Sequence, residues 1–279
     1  MTNFELDRPK RLGRYVVMGY CDISAAGIRV LEGMSGTSAT ANASGLRETG
    51  REALSFSGMG GAVFDGLPPL EAVHFDEGKD SGSDRHDEPS VTLLKLNTAI
   101  GQDLAASLSL SLVDLLADHR ATLDRVFIAA AVQSPKRHQL PKEAKTIPSD
   151  VVCTFSCDGH RSCSDENSSS LPLPAKPLPA SLSSLPALPT RARLADSFLT
   201  TLVRLCRLEE LPLTVLARAG YRTTGAAADV DGTDEAINGL GQCLANVAGL
   251  EFSSEKACGA RRSKGWKGAG PTQLVPGYI

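Results

Sequence analysis

No stretch of the 279-residue sequence approaches the roughly 18 uninterrupted apolar residues that a membrane-spanning helix needs. The opening residues, Met1 to Asp7, lack the apolar run of a secretory leader. An excess of one charge is missing too. The 29 Lys and Arg against 32 Asp and Glu leave a net charge of −3, which argues against binding nucleic acid over the whole surface. Cysteines number 7, an odd count that fits a reducing compartment rather than a disulfide framework. A soluble intracellular protein is expected, in which the sequons at Asn42 and Asn167 meet no glycosylation enzyme. Hydrophobic residues at 42% and charged residues at 22% are an ordinary globular balance, enough to bury a core without metal or disulfides.

Catalytic signatures are wanting as well. There is no G-x-S-x-G, no H-E-x-x-H and no G-x-x-x-x-G-K-[ST]. Cys153, Cys157, His160 and Cys163 are four soft-metal ligand types in a C-x3-C-x2-H-x2-C run. The run lacks the two separated ligand pairs of common structural zinc sites, and Cys153 falls in an expected strand, so no metal is expected. His74-Phe75-Asp76 and Arg85-His86-Asp87 set imidazole beside carboxylate, as a general base requires. Both lie in or next to the acidic segment Asp76 to Glu88, which is expected to be a solvated loop. Gly33-Met34-Ser35-Gly36 and Gly58-Met59-Gly60-Gly61 could offer amides to a phosphate, yet neither makes a full G-x-G-x-x-G. Gly239 and Gly241 sit inside a helical stripe, where close packing explains them better.

What is present is an α/β pattern. Tyr15 to Gly19 is a short β-branched run that predicts a buried strand, and Ser24 to Leu31 predicts a short helix. Periodicity leaves Gly33 to Gly61 unassigned. Leu70 to Phe75 and Val91 to Leu96 predict strands. Ile100, Leu104, Leu108, Leu112 and Leu115 then recur at the spacing of one helix face. Asp124 to Ala131 hardly alternates, which predicts a strand buried on both faces, and Val151 to Phe155 predicts another. Strand, helix and strand in that order predict a mainly parallel sheet covered by helices.

The span 164–190 breaks the pattern. Its prolines at 172, 174, 177, 179, 186 and 189 predict an extended, Ser/Pro-rich inserted linker. Helical spacing resumes at Leu194, Phe198, Leu202 and Leu205, and Leu213 to Leu216 predict a strand. Asp231-Gly232-Thr233 predicts a turn into a helix with Asp234 and Glu235 in its first turn and a stripe of Ile237, Leu240, Leu244 and Val247. From Ser253 the chain is Gly-rich and basic. The expectation is one α/β domain over 10–252, interrupted by the linker, and a flexible tail over 253–279. Five cations and one aromatic, Trp266, give that tail no stacking platform, so nucleic acid is not an expected partner.

The segment from Arg193 resembles the proteasome assembly chaperone 1 family. The residues that carry the resemblance are Leu194, Asp196, Phe198, Leu199, Val203 and Cys206, then Leu211-Pro212 and Val215-Leu216. They continue through Gly220-Tyr221-Arg222 to Asp231-Gly232-Thr233-x-Glu235-Ala236. The order of elements from Val91 to Ala131, and the strand Tyr15 to Gly19, are similar as well. The resemblance implies a single three-layer α/β/α domain with no cofactor and no catalysis. It implies a heterodimer with a second chaperone, similar to proteasome assembly chaperone 2, seated on the α-ring of the 20S proteasome, in cytoplasm and nucleus. Family members end in a hydrophobic–Tyr–any tripeptide, and this sequence ends Gly277-Tyr278-Ile279. By the resemblance these three residues bind the partner: the tripeptide enters a pocket between α subunits, where the Ile279 carboxylate meets a Lys and Tyr278 fixes orientation. Gly277 departs from the hydrophobic position. The alternative expectation is an enzyme on a nucleoside-phosphorylase-like α/β fold, with a polar pocket at the C-terminal edge of the sheet and a phosphate cradle from the Gly33 to Gly61 region.

Overall fold

The computed structural model describes residues 6–22, 25–37, 45–56, 66–77, 90–132, 151–157, 180–189, 193–194, 196–220, 230–263 and 277–278. At the centre lies β1 (Tyr15–Tyr20), followed by helix α1 (Ala26–Glu32), the two-residue β2 (Met34–Ser35), β3 (Leu46–Leu54), β4 (Leu70–Glu77) and β5 (Val91–Leu96). Helix α2 (Gln102–Asp118) leads to β6 (Arg125–Val132) and β7 (Cys153–Cys157). After α3 (Ala180–Ser183) and β8 (Arg193–Leu194) come α4 (Ser197–Leu208), β9 (Leu213–Ala219), α5 (Val230–Ala248), β10 (Glu251–Phe252), α6 (Ser254–Ser263) and β11 (Gly277–Tyr278).

Seven strands form one sheet in the order β3-β4-β5-β1-β6-β9-β7. The inner four, β5, β1, β6 and β9, are mutually parallel. Antiparallel strands close both margins, β4 and β3 on one side and β7 on the other. All eight residues of β6 and all six of β5 are buried, as a strand covered on both faces requires. Alternation then divides them between two cores. Val16, Met18, Val126, Ile128, Leu213 and Val215 pack with Leu108, Leu112, Phe198 and Leu202 of α2 and α4. Val17, Phe127, Ala129 and Leu216 pack with Val30, Ile237, Leu240 and Ala257 of α1, α5 and α6. The result is a three-layer α/β/α architecture.

The two sheet margins are blunted differently. β3 carries Arg47, Glu48, Arg51 and Glu52 with a register shift between Glu48 and Gly50, and charges with a bulge are a common guard against edge-to-edge pairing. At the other margin Thr154 N–H donates to the Pro186 carbonyl (2.9 Å), and Leu188 N–H donates to the Thr154 carbonyl (2.6 Å). The end of the proline-rich span therefore lies along β7, and prolines cannot pass the ladder outward.

Local departures from the sequence-based expectations have identifiable causes. β4 runs two residues past Phe75, so Asp76 and Glu77 continue the strand instead of opening the loop, and His74 is buried within it. Ala180–Ser183 within the expected extended linker is helical. α5 starts at Val230, so Asp231-Gly232-Thr233 lies inside the helix and not in a turn before it. The largest departure is the tail. Ser254–Ser263 is a helix, because Ala257 is fully buried among the residues of α1 and α5, and the ordered body extends that much beyond Phe252. None of the described helices is long and apolar enough to cross a membrane.

Candidate functional site

Ligands of open α/β sheets collect at the carboxyl ends of parallel strands where the connections diverge to opposite faces. Here that point lies between β1 and β6. The chain leaves β1 into α1 on one face and reaches β6 from α2 on the other. Tyr20 ends β1, Cys21 and Asp22 follow it, and Ala131 is near the end of β6.

Two half-buried carboxyls and a buried phenol meet there. Asp22 Oδ1 accepts the Gly27 N–H (3.0 Å) and Asp22 Oδ2 accepts the Ala131 N–H (2.6 Å), tying the start of α1 to β6. This replaces an N-cap that the helix otherwise lacks, since Ala25 at the cap position is left-handed with φ 53° and makes no side-chain cap. Asp196 caps α4: its Oδ1 accepts the Leu199 N–H (2.8 Å). Its other oxygen, Oδ2, accepts the Tyr20 hydroxyl (2.7 Å). The Tyr20 ring stands edge-on to Phe198, with centroids 5.0 Å apart, which seats α4 on the end of β1.

Burial sets the chemistry of this cluster. It pushes the Tyr20 hydroxyl well above the usual phenol range, with Asp196 and Asp22 adding to the shift. It pushes the Asp22 and Asp196 carboxyls above the usual carboxylate range, against the pull of their N–H donors. The Cys21 thiol is pushed up too, by burial first and Asp22 second, which removes it as a nucleophile near neutral pH. The Tyr20 hydroxyl and Asp196 Oδ2 join β1 to α4, the Asp22 oxygens join the end of β1 to α1 and β6, and Asp196 Oδ1 caps α4. The cluster is a brace.

The brace makes stability depend on pH. A carboxyl whose folded-state pKa lies above its unfolded value favours the fold while protonated. Its contribution is complete below about pH 4 and is lost as the pH rises through the folded-state value. Asp196→Asn keeps an oxygen for the Leu199 N–H and sets a neutral amide against Tyr20. As the pH rises from about 4, its Tm is expected to fall less than that of the wild type. Parallel Tm profiles would assign the pH dependence elsewhere.

The other residues singled out by sequence are not brought together. Cys153 and Cys157 lie four residues apart on one strand, about 13 Å at the strand rise, whereas two thiolates on one zinc stand within roughly 4 Å. Cys153 is buried in the α2/α4 core, and Cys157 packs against the same core near Cys206, whose thiol burial pushes up to about 12. His160 and Cys163 lie outside the described residues. Among the described residues no group of three or more His, Cys, Asp or Glu could hold a metal ion. His74 Nδ1 meets Thr92 Oγ1 at 3.0 Å, with Glu52 3.3 Å from Nε2, inside the antiparallel margin of the sheet.

Of the glycine segments, Gly33 to Gly36 is committed to structure. Met34 and Ser35 pair with Phe252 and Glu251, and the Gly33 carbonyl accepts the Ser253 N–H (2.9 Å). It follows the end of α1, at the opposite edge of the sheet from Asp22. Gly58 to Gly61 lies outside the described residues. Gly241 is closely packed as expected: a Cβ there would stand 2.3 Å from the Phe252 ring.

Gly277 and Tyr278 form β11, which pairs antiparallel with β8, Gly277 opposite Leu194 and Tyr278 opposite Arg193. This ladder lies immediately before the Asp196 cap of α4. Ile279 lies outside the described residues. Sequence reasoning missed the Tyr20–Asp22–Asp196 brace, although its signals were present. Tyr20-Cys21-Asp22 is a polar triplet at the end of a buried strand, and Asp196 precedes an apolar-periodic run as an N-cap does.

No protein-family model matches the chain. Nor does any curated protein. Among solved structures it is similar to Pyrococcus furiosus PbaA, described as an archaeal homolog of proteasome-assembly chaperone, with 13% identity, 94% of this chain and 93% of that chain covered, and a TM-score of 0.49. A Thermoplasma acidophilum protein of unknown function shares 9% identity over 91% of this chain and 85% of its own, with a TM-score of 0.48. Arabidopsis thaliana 5'-methylthioadenosine nucleosidase shares 11% identity over 93% of this chain and 98% of its own, with a TM-score of 0.33.

Proposed function

We propose that this chain is a proteasome assembly chaperone. As a heterodimer with a second chaperone, similar to proteasome assembly chaperone 2, it binds the α-ring of the 20S core particle and promotes its correct assembly. Gly277, Tyr278 and Ile279 dock in a pocket between α subunits. The role is binding without catalysis, in cytoplasm and nucleus. The observation that carries this reading is the family-like run from Leu194 to Ala236. Within it Phe198, Leu199, Val203 and Cys206 form the buried face of α4, and Leu213 to Leu216 the buried strand beside β6.

The enzyme alternative has one observation in its favour, the half-buried polar cluster at the carboxyl edge of β1. The hydrogen bonds of Tyr20, Asp22 and Asp196 favour the binding role, since each group already holds the fold.

Affinity purification through an N-terminal tag, beside a parallel chain lacking Gly277 to Ile279, tests the proposal. Mass spectrometry of the co-purifying proteins is expected to find proteasome α subunits and a second α/β chaperone. The truncation is expected to weaken α-subunit capture about tenfold, the effect of about 1.4 kcal/mol of lost contact. Equal capture by both forms would reduce the tripeptide to a tether. Absence of α subunits from both would overturn the chaperone reading and send the protein to a nucleoside-ligand screen.

A further inference from the structure

We propose that Arg193–Leu194 is a peptide-receiving strand edge whose occupant is the chain's own Gly277–Tyr278 segment, held in cis until a partner takes it. The consequence for partner binding rests on the proposed docking function; the cis pairing does not. The ladder itself is the first observation: β11 adds to β8 in antiparallel register, and this pair is separate from the seven-stranded sheet. Addition of an extended segment to an exposed strand is a general mode of peptide capture, in which backbone groups provide the attraction. β8 is well placed to receive one. It ends three residues before Ser197, at the end of α4 that Asp196 caps at Leu199 and ties to Tyr20, so the receiving strand abuts a braced part of the fold.

The chain can make this contact with itself. Thirteen residues separate Ser263, the end of α6, from Gly277, and covalent geometry lets such a span reach at most about 45 Å. The ladder is also short. A two-residue pairing that includes a glycine, with its high conformational entropy outside the ladder, suits a contact that yields to a competitor. Competition follows from the geometry. A backbone held against Leu194 and Arg193 cannot lie in another protein's pocket at the same time. Gly277 and Tyr278 are two of the three residues proposed to dock.

The test uses the full chain alone, with amide hydrogen exchange followed by NMR. The Gly277 and Tyr278 amides, taken together, are expected to exchange about tenfold more slowly than in the free peptide, as for a weakly closed local structure, and equally so at high and low protein concentration. Leu194→Pro removes a backbone N–H from the receiving strand and is expected to abolish this protection while leaving that of α4 unchanged. Should that variant disturb α4, Gly277→Pro breaks the ladder from the other side without touching the body of the fold. Peptide-like exchange in the wild type overturns the proposal. So does protection that vanishes on dilution, which would assign the ladder to two copies of the chain. For α-ring binding, Leu194→Pro is expected to raise affinity up to about tenfold, because the docked fraction no longer reduces it. Protection without α-ring binding sinks the functional reading alone, and α-ring binding without protection sinks only the cis contact.

Discussion

Asp234→Ala is expected to cost about 3 kcal/mol of stability, near the lower end for breaking a buried ion pair. Arg29 lies on α1 with its side chain 1% exposed, donates from Nη2 to Asp234 Oδ1 at 2.5 Å, and donates from Nε to the Ala257 carbonyl at 3.2 Å. Its Nη1 has no hydrogen-bond partner among the described residues. Removing Asp234 would leave a guanidinium inside the α1/α5/α6 layer with one carbonyl as its partner among the described residues. The lower end applies because Asp234 itself is 28% exposed. Thermal unfolding should show Tm lower by about 6–12 °C for a domain of this size. The double variant Arg29→Met, Asp234→Ala separates charge from shape, since an apolar side chain of similar length needs no counter-ion. It should recover most of the loss. A double variant no better than the single one would mean that the stranded charge is not the cause.

Gly19→Ala is expected to be at least as damaging, for a steric reason. α1 crosses β1 where two glycines face each other. A Cβ on Gly19 would stand 2.4 Å from the Gly27 carbonyl oxygen and 2.8 Å from its carbon, and both are backbone atoms that cannot swing aside. The helix would have to lift off the strand, stretching the Asp22–Gly27 hydrogen bond and opening the α1 side of the core. Overpacking of this kind costs about 3 kcal/mol or more when no side chain can yield. Gly50→Ala is the matched control. Its Cβ would meet only His74 Cδ2, at 3.9 Å, so a change within about 0.5 kcal/mol is expected there. Similar Tm values for the two alanine variants would refute the close seating of α1.

Much of the architecture was legible because long apolar elements announce themselves. The stripe from Ile100 to Leu115 and the unalternating run of β6 each place an element and its degree of burial. The His74 strand was harder to bound, because Asp76 and Glu77 continue it with the polar residues that also open a loop. α6 was hidden for a related reason. Six of its ten residues are polar or charged, and one buried alanine, Ala257, decides that the helix packs. The antiparallel margins carry no local signal of direction, so a mainly parallel sheet was as far as the order of elements could lead.

The candidate site divides along the same line. Local sequence alone indicated an α/β chain, the strands β5 and β6, the helices α2 and α4 with their inward faces, and a Tyr-containing terminal segment. It could do so because periodicity and capping act between near neighbours. Tertiary structure decided the rest: that Tyr20 and Asp196 share a hydrogen bond across 176 positions of sequence, that Arg29 meets Asp234, and that Gly277–Tyr278 lies beside Arg193–Leu194. Such contacts depend on how the layers stack, and no spacing between neighbouring residues encodes which distant groups a packed sheet will bring together.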